Sequence, residues 1–493
     1  MMSQAWAMTR GQALYRDIFQ IHPVLGIVIF YPFFFLLSPE AAVHAIKGMN
    51  LLLTGAAGIL VYRIASSWLR NGTLSLLSAS LFVFYIGRKW ALSSYGGFYA
   101  LLPILLSAYL LFCRRDPSRR TYVLCGVLWA IAFFLLQTTV FDIVAMVVCL
   151  FPFRWRSVRA ALTSGFWLLL GFSMVLAVLS FLFVWQGTFD EAARSMLGSH
   201  VSGYARLGPG KAGVSDAIRT RWALLDFCSR KMLSVFAPLL CGIAFGMGRI
   251  LLEWKERFRP GADSRSREDD ARARLLFAAC LVWLGANLLG VLALGRFYDH
   301  YLIPFVPPLA LACVFWMSGM DPTSTRTVAG SSLALLILAA ALHFATAARE
   351  DGLHPFKVRR SQSIAEYIRN HTRQDDRIFL YRFSGTDVFY LSQRPSTNGI
   401  YEYVDMCEEH IQDLELASAK RQELVEHPPA AIVLDPSVAV APCEASKEFF
   451  TKLIDENYVR GKVILGSEIY LRKDRAEGLR TPEGTSGPSA PGP

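Results

Sequence analysis

Ten apolar runs between residues 46 and 348 decide what this chain can fold into. They fall at 46–65, 74–86, 97–113, 121–136, 138–152, 161–185, 232–251, 274–294, 301–318 and 328–347. A straight crossing of a bilayer needs about 20 apolar residues, so the shorter runs are expected to extend into their flanks. Backbone polar groups in lipid find no water, which leaves helices as the conformation for such runs. Of the 493 residues, 53% are hydrophobic and only 18% are charged. That is too little charge to cover a soluble protein of this length. The expectation is a polytopic α-helical membrane protein with about ten spanning helices.

Loop charge sets the orientation. One set of loops carries Arg70, then Arg114, Arg115, Arg119 and Arg120, then Arg154, Arg156 and Arg159, then the basic stretch 255–272, and finally Arg326. The opposite short loops carry only Arg88, Lys89 and Arg296. The positive-inside rule places the first set in the cytoplasm. The long 186–231 loop is also basic, but long loops follow the rule less strictly. The net charge of +11 is then a property of cytoplasmic loops, and no aromatic–basic interleaving or zinc spacing points to nucleic acid. Residues 1–22 and everything after 348 fall outside. The run 23–37 is short and has Pro32 in its middle, which reads as an interfacial, juxtamembrane helix and not a crossing. An outer N-terminus without a signal sequence implies a further helix upstream of Met1.

Four regions follow: an outer loop and juxtamembrane helix (1–45), a transmembrane domain (46–348), a small α/β domain (353–475) and a Gly/Pro/Ser-rich tail (476–493). In the third, 363–371 and 410–427 read as helices. The stretches 377–381, 430–434 and 462–465 read as strands bounded by turn residues. Most of the nine cysteines lie in apolar runs and act as small apolar residues. Cys407 and Cys443, in the outer domain, are the two placed to pair in an oxidising compartment.

Between two apolar runs stands Gly295-Arg296-Phe297-Tyr298-Asp299-His300-Tyr301. Charges beside a bilayer are costly and usually functional. A cation and an acid at the lipid boundary suit a substrate with a lipid tail and a phosphate head.

These residues, with three further stretches, resemble the GT-C membrane glycosyltransferases. The likeness is to the bacterial branch related to dolichyl-phosphate-mannose protein mannosyltransferases and the lipid A aminoarabinose transferase. Residues 5–23, through Tyr15-Arg16-Asp17 to His22-Pro23, look like that family's first outer loop and juxtamembrane helix. Leu135-Leu136-Gln137-Thr138-Thr139-Val140-Phe141 looks like its loop before a spanning helix, with Leu136 where relatives often carry lysine. Residues 295–308 resemble its Arg-Phe and His-Tyr segment. Ile364-Ala365-Glu366-Tyr367-Ile368, the 377 strand and Pro428-Pro429-Ala430-Ala431-Ile432-Val433-Leu434 resemble its outer domain. The resemblance implies a bacterial inner-membrane enzyme with a periplasmic C-terminal domain. It also implies a polyprenyl-phosphate sugar donor, a lipid, glycan or protein acceptor, and inversion at the sugar. No cofactor or metal is implied. The family's acidic residue sits at the end of a first spanning helix, which here would precede Met1.

Sugar transfer from a lipid phosphate needs a carboxylate to take the acceptor's proton and cations to hold the leaving phosphate. The outer-face candidates are Asp17 and Asp299 as acids, with Arg16, His22, Arg88, Lys89, Arg296, His300 and Tyr301 as substrate-binding groups. Each has a plainer role: Arg296 as a snorkelling helix end, Asp299 as its ion-pair partner, His300 as a hydrogen-bonded interface residue, Arg16–Asp17 as a local pair shaping its loop, Arg88 and Lys89 as interfacial anchors, His22 as a loop-to-helix junction. Asp142, inside an apolar run, is a buried acid of either kind. Two other classes compete. One is a GT-C relative that lost its acid and serves assembly. The other is a transporter or flippase, which calls for mid-bilayer charges and paired broken helices.

Overall fold

The computed structural model describes residues 1–19, 23–89, 95–114, 116–153, 157–195, 232–256, 264–294, 299–320, 322–351, 358–381, 383, 385–401, 414–435 and 444–477. The chain opens with three short helices, α1 (Met2–Thr9), α2 (Leu25–Val28) and α3 (Tyr31–Leu36). Then come α4 (Pro39–Leu69), α5 (Gly72–Lys89), α6 (Gly96–Phe112), α7 (Arg119–Leu135), α8 (Val140–Phe153), α9 (Val158–Gln186) and the short α10 (Phe189–Ala193). The helices α11 (Ser234–Glu256), α12 (Ser264–Leu294), α13 (Val306–Ala312) and α14 (Pro322–Asp351) complete the bundle. Apart from 301–318, the apolar runs expected to span lie largely on this helical set, and five described helical segments are long and apolar enough to cross a membrane. The helices outrun the apolar runs because backbone bonding continues to a cap. Ser38 accepts from Ala41 N before α4, Ser118 from Thr121 N before α7, and Ser157 from Ala160 N before α9, each satisfying one orphan donor. Gly187, at φ +67°, ends α9 in the left-handed conformation.

The outside of the bundle is apolar. On α9, Phe181 is 67% exposed and Trp185 78% exposed, as befits surface that lipid covers. The juxtamembrane run behaves likewise. It breaks into α2 and α3 ahead of Pro32, burying Ile27 and Phe30 while Phe35 and Leu36 face outward.

One run departs from expectation. Residues 301–318 do not form a continuous α-helix. A 3-10 turn (Asp299–Phe305) leads into α13, and a second 3-10 turn (Phe315–Gly319) follows. Pro304, Pro307 and Pro308 remove donors and break the ladder. Irregular backbone at membrane depth is tolerated only inside protein, and 89% of the stretch is buried. Its freed carbonyls are met by polar side chains. Asn287 Nδ2 donates to Pro304 O (3.1 Å), Ser78 Oγ to Ala310 O (2.8 Å) and Arg249 Nη1 to Phe315 O (3.2 Å).

The C-terminal domain holds a four-stranded sheet in the order β1-β2-β4-β3: β1 (Ile378–Tyr381), β2 (Ala431–Leu434), β3 (Tyr458–Ile464) and β4 (Ser467–Arg472). β1 and β2 are parallel, and the other pairings are antiparallel. The helices α15 (Val358–His371), α16 (Val388–Ser392), α17 (Leu414–Glu426), α18 (Glu444–Asn457) and α19 (Lys473–Glu477) surround it. β4 is an addition to the expected strands. It follows β3 through a two-residue turn, Leu465-Gly466, with both φ positive (47° and 81°). That is the primed hairpin geometry, here without the usual Asn-Gly signature.

The N-terminal segment is clamped between bundle and sheet domain. Phe19 N donates to Gly399 O (2.8 Å), Ser3 Oγ to Thr386 O (2.6 Å), and Tyr401 OH to Gln12 Oε1 (2.7 Å). Gly399 sits at φ +70°, and a Cβ there would stand 2.1 Å from the Asp17 carbonyl. Gly399→Val is therefore expected to lift the 12–19 loop off the domain, through left-handed strain and direct overlap. Trypsin should then cut after Arg16 several-fold faster than in the parent protein. An unchanged rate would contradict this docking.

Candidate functional site

α6 begins, α7 ends and α8 begins at one end of the bundle. The approach is close because glycines allow it. A Cβ on Gly96 would stand 2.2 Å from the Leu135 carbonyl, with the Met1 methyl 3.5 Å away, and Gly26 faces the same methyl at 3.2 Å. A 3-10 turn (Gln137–Thr139) carries the chain from α7 into α8. Gly290 of α12 meets the Phe141 ring, which a Cβ would overlap at 2.5 Å.

A hollow opens between these elements, lined by Leu136, Thr138, Phe141, Asn287, His300 and Tyr301 among others. The His300 ring packs on Tyr95 (centroids 4.1 Å apart) and on Tyr301 (4.6 Å). Two stretches far apart in sequence, 135–141 and 299–305, thus share one hollow. Its lining offers an imidazole, one phenol, a hydroxyl and an amide among apolar side chains.

Asp142, next in sequence to the lining residue Phe141, is 3% exposed and accepts a 2.5 Å hydrogen bond from Trp283 Nε1. Its carboxylate is buried, and Asp142 is not among the residues that line the hollow.

Arg16 and Asp17 form a two-pronged pair, Nε to Oδ1 at 3.0 Å and Nη2 to Oδ2 at 3.1 Å. Asp17 also accepts from Ala13 N (2.8 Å), closing its own loop. The hydrogen bond from Arg16 holds the Asp17 carboxyl below the usual carboxylate range. A lowered folded-state value adds stability above the unfolded value and loses it as pH falls through the folded one. The loop is thus expected to loosen only below about pH 4, and mildly, because the pair is exposed. Hydrogen exchange across residues 10–19, corrected for intrinsic rates, should rise there, and Asp17→Asn should abolish the step.

The remaining candidates divide plainly. His22 and Arg296 lie outside the described residues, as do Cys407 and Cys443. Arg88 and Lys89 occupy the last turn of α5, and Asp299 opens the 3-10 turn that carries His300 and Tyr301; for these three only the backbone is described. Among the described residues, no group of three or more His, Cys, Asp or Glu is placed to hold a metal. Tyr95, Thr138 and Asn287 are additions to the sequence reading. Asn287 was legible as a lone amide in an apolar run. Thr138 had entered only as part of the 135–141 stretch and Tyr95 carried no signal, since only tertiary packing brings them to His300.

No family model matches the chain, and no curated protein matches it in sequence. Solved structures do. A crystal structure of ArnT from Cupriavidus metallidurans in the apo state aligns with a TM-score of 0.58 and 12% identity, over 98% of this chain and 94% of that one. ArnT from the same organism bound to undecaprenyl phosphate aligns with a TM-score of 0.56 and 12% identity, over 95% and 92%. A spanning bundle closed at one end by juxtamembrane helices and a small mixed-sheet domain is thus an architecture shared almost end to end with ArnT: the chain has the GT-C fold.

Proposed function

We propose that this protein is a glycosyltransferase that takes a sugar from a polyprenyl-phosphate carrier and passes it to a lipid, glycan or protein acceptor. The reaction takes place at the outer face of the bacterial inner membrane, beneath a periplasmic C-terminal domain. The observation that carries this reading is the shared hollow of the 135–141 and 299–305 stretches. It lies in a fold that ArnT also uses, and ArnT has been captured with undecaprenyl phosphate. Arg296, with Arg88 and Lys89, supplies the phosphate-holding charge. A guanidinium matches phosphate oxygens through paired hydrogen bonds and stabilises the charge that grows on the leaving group. His300 and Tyr301 line the headgroup's seat, and Arg16 and His22 approach from the N-terminal loop. Asp17 and Asp299 are the acids available to take the acceptor's proton. Asp299 is the better placed, one residue from His300, whereas Asp17 is held ionised by Arg16 and committed to its loop.

The test is transfer from a radiolabelled polyprenyl-phosphate sugar in membranes containing the protein. Label is expected to move into a lipid, glycan or protein fraction. Absence of transfer from every carrier-linked sugar supplied, with the protein folded in the membrane, would remove the enzymatic reading and favour an assembly role.

A further inference from the structure

Leu465 stands at the tip of the β3–β4 hairpin and is 68% exposed; Val463, just before it on β3, is exposed as well. The tip reads Val463-Ile464-Leu465-Gly466 and carries no charge. Leu465 holds φ at +47°, the left-handed region that a side chain with a Cβ disfavours. Asparagine or glycine would fill that position with less strain. A leucine there is doubly unfavourable in water, and a lipid surface removes one of the two penalties.

The fold carries this tip to the bundle side of the sheet domain. β1, β2 and β3 run in one direction, because β1 is parallel to β2 and β4 is antiparallel to both its neighbours. Tyr381 ends β1, and the chain soon enters α16 at Val388. α16 packs on α4 and α1, and the Tyr390 ring lies 5.3 Å from that of Phe34 in α3. The edge where β1, β2 and β3 end is therefore the edge that meets the bundle. Hydrogen bonds hold the hairpin at that level. Arg360, in the first turn of α15, donates through Nε to Ser467 Oγ (2.7 Å) and through Nη2 to Asp435 Oδ2 (2.6 Å), just past β2. Ser361 Oγ donates to Asp387 Oδ1 (2.8 Å) at the start of α16. Ile464 packs on the hydrophobic core that continues into the bundle. β3 is the edge strand, third along the sheet from β1, so the tip stands about 14 Å to one side of β1.

We propose that the hairpin tip is a lipid anchor. Leu465 and Val463 enter the leaflet beneath the sheet domain and hold the domain down at its overhanging edge. The occupant of this apolar tip is the bilayer that already covers the exposed apolar faces of α3 and α9. Entry is shallow, because the polar backbone of the turn needs headgroups or water.

The experiment uses the full-length protein in lipid nanodiscs. A nitroxide is attached at position 465 through an azide-bearing amino acid. Its relaxation by oxygen is compared with that by a water-soluble nickel chelate. A label at Glu456, before the other end of β3, is the reference. The oxygen-to-nickel ratio is expected to be about fivefold higher at 465 than at 456, because an apolar interface admits oxygen and excludes the chelate. Equal ratios would overturn the proposal. Shielding of 465 from both agents would overturn it too, by placing protein over the tip. Unlabelled protein gives a second readout. Leu465→Asn suits the left-handed turn and keeps the hairpin folded. It is nevertheless expected to speed hydrogen exchange at 463–466 about fivefold in nanodiscs, while Leu465→Met stays within about twofold of the parent. Exchange in Leu465→Asn equal to the parent's would remove the anchor.

Discussion

Valine at Gly126 or Gly171 is expected to force α7 and α9 apart and to destabilise the bundle by about 3 kcal/mol, the scale of severe overpacking. The two glycines face each other across the crossing of these helices. A Cβ on Gly126 would stand 2.0 Å from the Leu168 carbonyl and 3.0 Å from Phe172 N. A Cβ on Gly171 would stand 2.0 Å from the Val123 carbonyl and 3.0 Å from Val127 N. These obstacles are backbone atoms, so no rotamer change relieves them. Helices in lipid gain most of their association from such close packing. Gly165 in the same α9 has nothing within 4 Å of its would-be Cβ. Gly165→Ala is therefore expected to be neutral or to stabilise by up to about 1 kcal/mol, through lost freedom of the unfolded chain. Unfolding temperature in a fixed detergent compares the three variants. Equal behaviour of Gly171→Val and Gly165→Ala would contradict the close crossing.

Arg296→Ala is expected to reduce sugar transfer by about two to three orders of magnitude, the usual cost of losing a group that stabilises transition-state charge. Arg296→Lys should recover only part of the rate, because an ammonium keeps the charge and loses the paired hydrogen bonds. Asp299→Asn separates two roles. As the proton acceptor, Asp299 gives a loss in kcat with KM little changed. As a mere partner of Arg296, it gives a change in KM. Initial rates over a range of donor concentrations distinguish them. Transfer by Arg296→Ala at the parent rate would strip that arginine of its role.

The helical bundle was legible because lipid imposes one rule, a run of apolar residues per crossing, and the apolar runs other than 301–318 largely fold as helices, five described segments being long enough to span. Where the rule alone was applied it failed instructively. Residues 301–318 are apolar enough to span, yet three prolines divide them, and Asn287, Ser78 and Arg249 supply the hydrogen bonds the helix lost. Those three polar residues, each in another helix, are the trace of that irregularity, and sequence does not say which carbonyl each serves. The sheet domain was legible in β1 and β2, whose buried residues form unbroken apolar strings. β4 escaped notice because its turn is Leu-Gly and its strand alternates with polar residues. The motif at 295–301 drew attention to His300 and Tyr301. Their meeting with Tyr95, Thr138 and Asn287 is a product of tertiary packing that no local spacing encodes.

The clamp between the first twenty residues and the sheet domain sets an order on biosynthesis. Gln12 and Phe19 emerge from the ribosome hundreds of residues before Tyr401 and Gly399, their hydrogen-bond partners. Contacts so distant along the chain form late and slowly. The leading segment therefore waits at the membrane surface, with its own partners still untranslated, while every crossing is inserted. Only when the sheet domain closes can residues 12–19 find their partners there, so a nascent chain arrested before residue 399 would carry the helices of the bundle with that loop still undocked.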